Sequence, residues 1–310
     1  TFFLSAIADN LTSALLMATV INSVGGANKK FIVPAFINIV VAANAGGAWS
    51  PFGDITTLMV WTAGKVETVQ FLSLVAPSVV NWLVPAAIML LFIPRGRPEG
   101  SDEVVIMKPG AKTIMFLGLA TIAIAISFHQ FLHLPPFMGM MTGLGLLMFM
   151  GFHLQRRDRA ENVATKSQFN IFHNVEKVEF DTLLFFFGIL TAVGALQYIG
   201  YLSLFSNVLY GGLGNTYANI ALGVLSAIVD NIPLMFAILQ MNPTMGLDQW
   251  LLITLTAGTG GSLLAIGSAA GVAVMGVRRD IYTFMAHLKW TPVIALGYFA
   301  SIGCWWLITN

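Results

Sequence analysis

Charged residues are scarce in this sequence: only 9% of its 310 residues are Asp, Glu, Lys or Arg, against about a quarter in an ordinary soluble domain. The fifteen basic residues nearly balance the fourteen acidic ones, and the net charge of +1 gives no basic field that could hold nucleic acid. A single cysteine, Cys304, leaves no second thiol for an internal disulfide or a thiolate zinc site. These absences exclude an ordinary soluble domain, a nucleic-acid-binding protein and a disulfide-stabilised scaffold.

Apolar residues, in contrast, make up 57% of the chain. They form long runs, most of which reach the roughly twenty residues needed to cross the hydrocarbon core of a bilayer, about 30 Å thick. The runs are 31–62, 69–93, 113–132, 135–154, 180–204, 219–241, 250–277 and 292–308. We therefore predict an all-α polytopic membrane protein.

Two of these runs are much longer than one straight span requires, and each contains a pair of glycines. The pairs are Gly46-Gly47 in run 31–62 and Gly260-Gly261 in run 250–277. Such interruptions are typical of the discontinuous helices of transporters, whose unwound backbone lines the binding site. The alternative is that the glycines only allow close helix packing, as small residues do in membranes.

The basic residues predict which side of the membrane each loop faces, because Lys and Arg accumulate in cytoplasmic loops. The connectors 94–112 and 155–179 are rich in Lys and Arg and are therefore predicted to be cytoplasmic. If run 219–241 is a re-entrant hairpin that enters from the outside and returns there, all basic residues except Lys65 lie inside. If that run crossed completely, the three basic residues after it would lie outside. We therefore predict the hairpin.

An internal repeat favours the same topology. Residues 5–10 (SAIADN) match residues 226–231 (SAIVDN) at five of six positions, and the pattern Gly-Gly-x5-Gly follows each copy. An odd number of crossings separates the copies, so we predict inverted structural repeats with two re-entrant hairpins and two discontinuous transmembrane helices.

The predicted division has three parts. Residues 1–93 hold the end of the first hairpin, a broken helix and the following span, residues 94–179 hold connectors and two spans, and residues 180–310 hold the second hairpin, a broken helix and the last span. Because the chain opens at Thr1 within an apolar run, we expect an N-terminal portion with the start of the first hairpin to precede it.

Three aspartates, Asp9, Asp54 and Asp230, lie inside apolar segments with no Lys or Arg close in sequence. An ionised carboxylate at the bilayer centre costs about 2.5 to 3.5 kcal/mol on insertion scales, so each must be protonated, lie in a wet cavity or bind a cation. Hydroxyl and amide oxygens surround them, on Ser5, Asn10, Thr12, Asn44, Thr56, Thr57, Ser226, Asn231, Ser262 and Ser268. Such oxygen donors suit a hard cation, and the candidates are Na⁺, Li⁺ and H⁺.

The same residues permit plainer interpretations. Asp9 and Asp230 could merely cap the second arm of each hairpin, although a neutral Ser or Asn would do so without the cost of burial. Asp181 and Thr182 begin a span, where an acidic residue favours the helix N-terminus, so capping and function are equally open for them. The five histidines lie at span ends or in loops and form no ligand pattern.

Several motifs resemble the signatures of a known family. They are SAIADNLT at 5–12 and NAGGAWSPFGDITT at 44–57, with FDTLLFFFG at 180–188 and SAIVDNIP at 226–233. They are similar to those of NhaD-type sodium/proton antiporters of the ion transporter superfamily. The resemblance implies a multi-pass protein of the bacterial inner membrane, a homodimer, and no cofactor besides the transported ions. It implies ion-binding or transport roles for Ser5, Asp9, Asn10, Thr12, Asn44, Asp54, Thr56, Thr57, Asp181, Thr182, Ser226, Asn231 and Ser268.

We predict a secondary transporter, not an enzyme, that exchanges Na⁺ or Li⁺ for H⁺ by alternating access. The metal ion and the proton compete for the same carboxylates, chiefly Asp9 and Asp54, with Asn10 beside them and with Asp230 and Asp181 contributing from the second half. The nearest alternative is a related carrier for an anion such as arsenite or a dicarboxylate, whose relatives show Ser-Asn-Thr where this chain has Asp at the hairpin tips. A remote alternative is an intramembrane aspartyl protease.

Overall fold

The computed structural model describes residues 1–25, 28–93, 110–160 and 180–309, and the regular secondary structure in these ranges is helical. The elements are α1 (Phe2–Ala8), α2 (Asn10–Gly25), α3 (Lys29–Gly47), α4 (Ile55–Thr62), a 3₁₀ helix (Gln70–Leu74), α5 (Val75–Leu90), α6 (Ala111–Leu132), α7 (Pro136–Ala160), α8 (Phe180–Tyr198), α9 (Tyr201–Leu225), α10 (Asn231–Met241), α11 (Leu247–Gly260), α12 (Ala269–Val277), α13 (Phe284–Leu288) and α14 (Thr291–Thr309). Within the described ranges, five helices are long and apolar enough to cross a membrane, or six if one bent pair counts as a span. The predicted all-α polytopic class is confirmed.

The chain forms two compact units, one of residues 103–187 and the other of residues 1–102 together with 188–310. In the first unit, α6 and α7 pack against each other in antiparallel directions. A Cβ at Gly139 would meet the backbone of Ala125, and a Cβ at Gly143 would meet the side chain of Thr121. The glycines therefore let these two apolar helices approach closely.

The second unit begins with a helical hairpin. Its arms α1 and α2 meet at Asp9, and both pack against α3. A Cβ at Gly46 would meet the backbone oxygen of Phe2, so glycine is needed where α1 crosses α3. α3 ends at Gly47 and α4 begins at Ile55, so the backbone leaves the helix just after the glycine pair.

A second hairpin of the same kind follows later in this unit. α9 bends at Gly214, which has φ 73°, and its last turns form the first arm; α10 forms the second arm, with Asp230 at the tip. A Cβ at Gly260 would meet the backbone oxygen of Gly223 in the first arm. α11 ends at Gly260 and α12 begins at Ala269, again with an interruption at a glycine pair.

Contacts made by the first hairpin recur in the second. The hydroxyl of Ser5 donates to the backbone oxygen of Ala43 at 2.6 Å, and the hydroxyl of Ser226 donates to that of Ala257 at 2.7 Å. The short helices after the two breaks are exchanged: α4 packs against α10, and α12 packs against α2. These paired contacts support the predicted repeat, whose inverted orientation in the bilayer stays a prediction.

The ends of the hairpins bear on the predicted topology. α10 has 11 residues and is therefore about 16 Å long, too short to cross a core of roughly 30 Å. Lys65, after α4, donates to the Asn242 side chain at the end of α10 at 2.7 Å. Arg278, after α12, donates to Asn22 of α2 at 2.8 Å. These bonds support the re-entrant topology, in which each basic residue lies on the same side as the hairpin end it contacts.

Arg278 also forms a salt bridge with Asp280 at 2.9 Å. The hydrogen bonds from the guanidinium hold the pKa of the Asp280 carboxyl below its usual value, so both groups are charged at neutral pH. This pair orients the guanidinium toward Asn22, and it lies after α12 rather than among the buried aspartates.

The structure differs from the prediction between residues 199 and 218. The sequence predicts one span over 180–204, but α8 ends at Tyr198 and the helices on either side of Gly200 meet at 80°. Gly200 has φ 86°, a conformation that glycine adopts without strain, and it turns the chain. Residues 205–218, which lie between the predicted apolar runs 180–204 and 219–241, belong to α9. The predicted end of this span at Leu204 is therefore wrong.

Candidate cation site

Asp54 lies in the first break, immediately before α4, and is only 3% exposed. Its Oδ1 accepts the backbone N–H of Thr56 at 3.1 Å, and its own backbone N–H donates to the hydroxyl of Thr57 at 3.3 Å. This is a capping box, which satisfies the free N–H groups at the start of a helix. The Asp-x-Thr-Thr sequence thus explains why α4 begins here, and it fixes the orientation of the carboxylate.

The two hairpin tips meet at this carboxylate. Asn10, at the start of α2, donates its amide N–H to Asp54 Oδ2 at 2.8 Å, and Asn231, at the start of α10, donates to the same oxygen at 3.0 Å. Both asparagines are buried. Two residues that are 221 positions apart in the chain therefore contact one carboxylate oxygen, and Asp54 receives these hydrogen bonds from neutral groups.

Asn44 connects the first break to the second. Its side-chain nitrogen lies 2.9 Å from the hydroxyl of Ser262 and 2.9 Å from that of Ser268, so its two N–H groups serve one hydroxyl each. Its Oδ1 accepts an N–H of Asn10 at 3.1 Å. Ser268 is the residue before α12 and accepts the backbone N–H of Gly271 at 3.2 Å, the capping position that Asp54 occupies before α4. One buried network therefore joins both tips and both breaks.

The tip aspartates lie beside this network without bonding directly to Asp54. Asp9 Oδ2 accepts from the backbone N–H and the hydroxyl of Thr12, both at 3.3 Å. Asp230 Oδ1 is buried and has no hydrogen-bond partner among the described residues. Asp9 and Asp230 directly precede Asn10 and Asn231, the two residues that bond to Asp54, so two further carboxylates lie near the site. Their negative charge favours protons or a cation there.

Two basic side chains bond outside this network: Lys65 donates to Asn242, and Arg278 donates to Asp280 and Asn22. Among the described residues there is also no cluster of three or more His, Cys, Asp or Glu side chains that could hold a metal ion. The available ligands are carboxylate, hydroxyl and amide oxygens, which suit a hard monovalent cation rather than a transition metal.

Some predicted site residues have positions of a different kind. Ser5 and Ser226 bond to the backbone of α3 and α11 and hold the hairpins in place. Thr56 is the second residue of α4, and its hydroxyl oxygen is buried without a hydrogen-bond partner among the described residues. The side chains of Asp181 and Thr182 lie outside the described residues, so the predictions for these two stay predictions.

The glycines of the two predicted breaks serve close packing. Gly46 and Gly260 contact the hairpins, as described above, whereas Gly47 and Gly261 contact their own breaks. A Cβ at Gly47 would lie 2.5 Å from the backbone oxygen of Gly53, and one at Gly261 would lie 2.6 Å from that of Gly267. Close packing and helix interruption therefore occur at the same residues. The glycine pairs can mark broken helices and also allow close packing, so these two interpretations of the sequence are compatible.

His287 and Tyr282 were not among the predicted site residues. His287 is buried, and its ring nitrogens lie 2.9 Å from the backbone oxygen of Ser262 and 2.6 Å from the hydroxyl of Tyr282. Both residues follow the second broken helix, in a stretch whose sequence carries no repeat or motif. Only the fold brings them to the break, so no sequence signal could have identified them.

The backbone at the first tip is strained, which allows a prediction. Asp9 has φ 63° and ψ 151°, a region nearly reserved for glycine that costs other residues about 1 to 3 kcal/mol. Asp230 at the second tip has φ −44°. We expect Asp9→Gly to raise the unfolding free energy by about 1 kcal/mol, because glycine relieves the strain and still tolerates the cap position. The same variant lacks the tip carboxylate.

Asp230→Gly is the matched control. Its backbone gains nothing from glycine, which instead increases the entropy of the unfolded chain, so we expect this variant to be less stable than the unmodified protein. Thermal unfolding of the two purified variants side by side checks the prediction. An Asp9→Gly protein that melts no higher than Asp230→Gly would contradict it.

Comparisons with known proteins show relatives along most of this chain. The sequence model of a family described as "Citrate transporter" matches residues 1–258. The chain is 53% identical to the Na(+)/H(+) antiporter NhaD of Vibrio cholerae, over 97% of this chain and 67% of that protein. It is 54% identical to the NhaD of Vibrio parahaemolyticus, over 96% and 76%, and 53% identical to that of Alkalimonas amylolytica, over 97% and 66%. The chain spans about two thirds to three quarters of the length of these relatives.

Proposed function

We propose that this chain, which belongs to the NhaD family of sodium/proton antiporters, exchanges Na⁺ or Li⁺ for H⁺ across a membrane. It is a multi-pass membrane protein and part of a secondary transporter rather than an enzyme. The bacterial relatives support the inner membrane as its location. Because the chain is shorter than these relatives, the activity is that of the complete protein. The predicted homodimer stays a prediction.

One observation carries the proposal: the buried Asp54 carboxylate is held by both hairpin tips through neutral donors. A carboxylate in this position is stabilised either by a proton or by a small cation, and the two exclude each other on the same oxygens. For the cation we propose the oxygens of Asp54 and Asp230, the Thr56 hydroxyl, and the side-chain oxygens of Asn10 and Asn231. Asp9 lies next to this set and adds negative charge to it.

Exchange requires that the empty, charged site does not cross the apolar barrier. A bare carboxylate is costly there, whereas a protonated or cation-bound one is neutral. The two tips and the two breaks are joined by the network around Asn44, so they move together as alternating access opens the site to one side and then the other. A proton moving down its gradient therefore drives Na⁺ in the opposite direction.

The anion-carrier alternative is not favoured, although one matching family model is described as a citrate transporter. The relatives at 53–54% identity are named Na(+)/H(+) antiporters, and three carboxylates at the site repel an anion. The aspartyl protease alternative needs two carboxylates that share a proton. Among the described residues, no second carboxylate hydrogen-bonds to Asp54.

Ion substitution in vesicles tests the proposal. Acid-loaded proteoliposomes that contain the full-length protein receive NaCl, LiCl, KCl or sodium-free citrate in turn, while a trapped dye reports the internal pH. We expect added Na⁺ or Li⁺ to alkalinise the lumen, because the cation enters as H⁺ leaves, and we expect K⁺ and citrate to have no effect. Proton movement driven by citrate alone would support the anion carrier and overturn the proposal.

A further inference from the structure

His287 lies in the short helix α13 and is fully buried. Its Nε2 is 2.9 Å from the backbone oxygen of Ser262, the second residue of the second break. Its Nδ1 is 2.6 Å from the hydroxyl of Tyr282, which is also fully buried. Both ring nitrogens therefore have a partner, and one of them holds the backbone of the break.

The chemistry of these partners determines where the ring proton lies. A backbone carbonyl can only accept, so Nε2 must carry the hydrogen that it donates to Ser262. A neutral imidazole has one N–H, so Nδ1 is an acceptor and the Tyr282 hydroxyl donates to it. Tyr282 thereby fixes the Nε2–H tautomer that the bond to Ser262 requires.

Ser262 transmits this restraint to the carboxylate site. Its hydroxyl accepts one N–H of Asn44, whose Oδ1 in turn accepts from Asn10, and Asn10 donates to Asp54. If the Ser262 carbonyl could rotate, its hydroxyl would move with the backbone and Asn44 would lose one acceptor. The amide of Asn44 could then turn away from Asn10, and the donors to Asp54 would lose their fixed geometry.

The first break is anchored differently. Gly46 and Gly260 are 214 residues apart, and the same offset pairs Ser262 with Ala48. Ala48 has no side-chain oxygen, so the first break presents nothing to Asn44 at that position. Among the described residues, the second break supplies the network with this hydroxyl and the first does not, and a histidine holds the carbonyl of the same residue at the second break.

We propose that His287, with its tautomer fixed by Tyr282, is a positioning residue for the cation site. It contacts neither the cation nor Asp54, and it acts by holding Ser262 so that Asn44 and Asn10 keep the Asp54 carboxylate in its binding geometry. This inference rests on the proposed exchange activity. Its effect is on the affinity for Na⁺ rather than on the chemistry of the carboxylate.

Three variants of the full-length protein test the proposal in proteoliposomes. His287→Gln retains an N–H where Nε2 stands, His287→Leu removes it, and Tyr282→Phe removes only the hydroxyl that fixes the tautomer. Losing one buried hydrogen bond corresponds to about a threefold to tenfold change in an equilibrium constant. We expect the Na⁺ concentration for half-maximal exchange to rise by that factor in His287→Leu and by less in Tyr282→Phe, while the maximal rate is retained. His287→Gln should have nearly the same Na⁺ dependence as the unmodified protein.

Tyr298→Phe is the matched control, because Tyr298 is a buried tyrosine whose hydroxyl donates to the backbone oxygen of Ile220, away from Ser262. Equal Na⁺ dependence in His287→Leu and Tyr298→Phe would overturn the inference, as would a His287→Gln protein as weak as His287→Leu. If His287→Leu does not fold, Tyr282→Phe is compared with Tyr298→Phe, and equal Na⁺ dependence in these two variants would overturn the inference. Failure of the unmodified protein to respond to Na⁺ would instead contradict the proposed function.

Discussion

Asp54→Asn is expected to abolish sodium-driven proton movement, with a loss of at least about 100-fold. The substitution changes almost no volume, but the amide can neither bind a proton in the relevant pH range nor neutralise a cation. Loss of a charged ligand for both substrates costs about 3 kcal/mol or more, which corresponds to roughly 100-fold. The exchange rate in proteoliposomes, normalised to the amount of inserted protein, measures the effect.

The matched control is Asp248→Asn, which removes a carboxylate at the start of α11, where it bonds to Gln249. That variant is expected to retain exchange. An Asp54→Asn protein that still moves protons in response to Na⁺ at a tenth of the normal rate or more would show that another carboxylate binds the transported ions.

Gly46→Ala and Gly260→Ala are expected to prevent stable folding of the transporter. In each case the new methyl group would meet a backbone oxygen of a hairpin arm, that of Phe2 or that of Gly223, and a backbone cannot rotate away as a side chain can. Overpacking costs typically 1 to 3 kcal/mol and occasionally more, and we expect about 3 kcal/mol for each variant. Yield of monodisperse protein and melting temperature in detergent measure the loss.

Gly276→Ala gives the comparison for this prediction, since it makes the same change in α12 at a position with no atom within 4 Å of the added methyl. This variant is expected to be as stable as the unmodified protein or slightly more stable, because alanine favours the helix. If Gly46→Ala and Gly260→Ala melt at the same temperature as Gly276→Ala, the hairpins do not lie against the broken helices as described.

The centre of the site could be predicted from the sequence because ionisable residues are rare within membrane-spanning segments. Asp54 and the Asp-Asn pairs at the hairpin tips are polar in apolar surroundings, and they recur with glycine pairs at similar separations. The sequence could not show that Asn10 and Asn231 reach the same oxygen of Asp54, because that contact depends on how two distant hairpins pack. Nor could it show that the hydroxyls of Ser5 and Ser226 donate to backbone oxygens of the broken helices.

Two other features were beyond sequence reasoning for different reasons. The turn at Gly200 lies between apolar residues, so the hydrophobic pattern runs through it and predicts one longer span. His287 has no distinguishing neighbours, and its importance for the site arises only from the bond to the Ser262 carbonyl. A hydrophobic pattern reports burial, whereas a single φ angle or a single distant hydrogen bond leaves no trace in it.

Competition between Na⁺ and H⁺ for the Asp54 carboxylate is tested most directly by equilibrium binding. Radioactive Na⁺ is titrated onto the purified full-length protein over a series of pH values, with Asp54→Asn beside it. If one carboxylate binds either ion, the apparent affinity for Na⁺ falls about tenfold for each unit by which the pH is lowered, once the proton-bound form dominates. Asp54→Asn then loses both Na⁺ binding and its pH dependence. Sodium affinity that is independent of pH, or that survives unchanged in Asp54→Asn, would contradict a shared carboxylate.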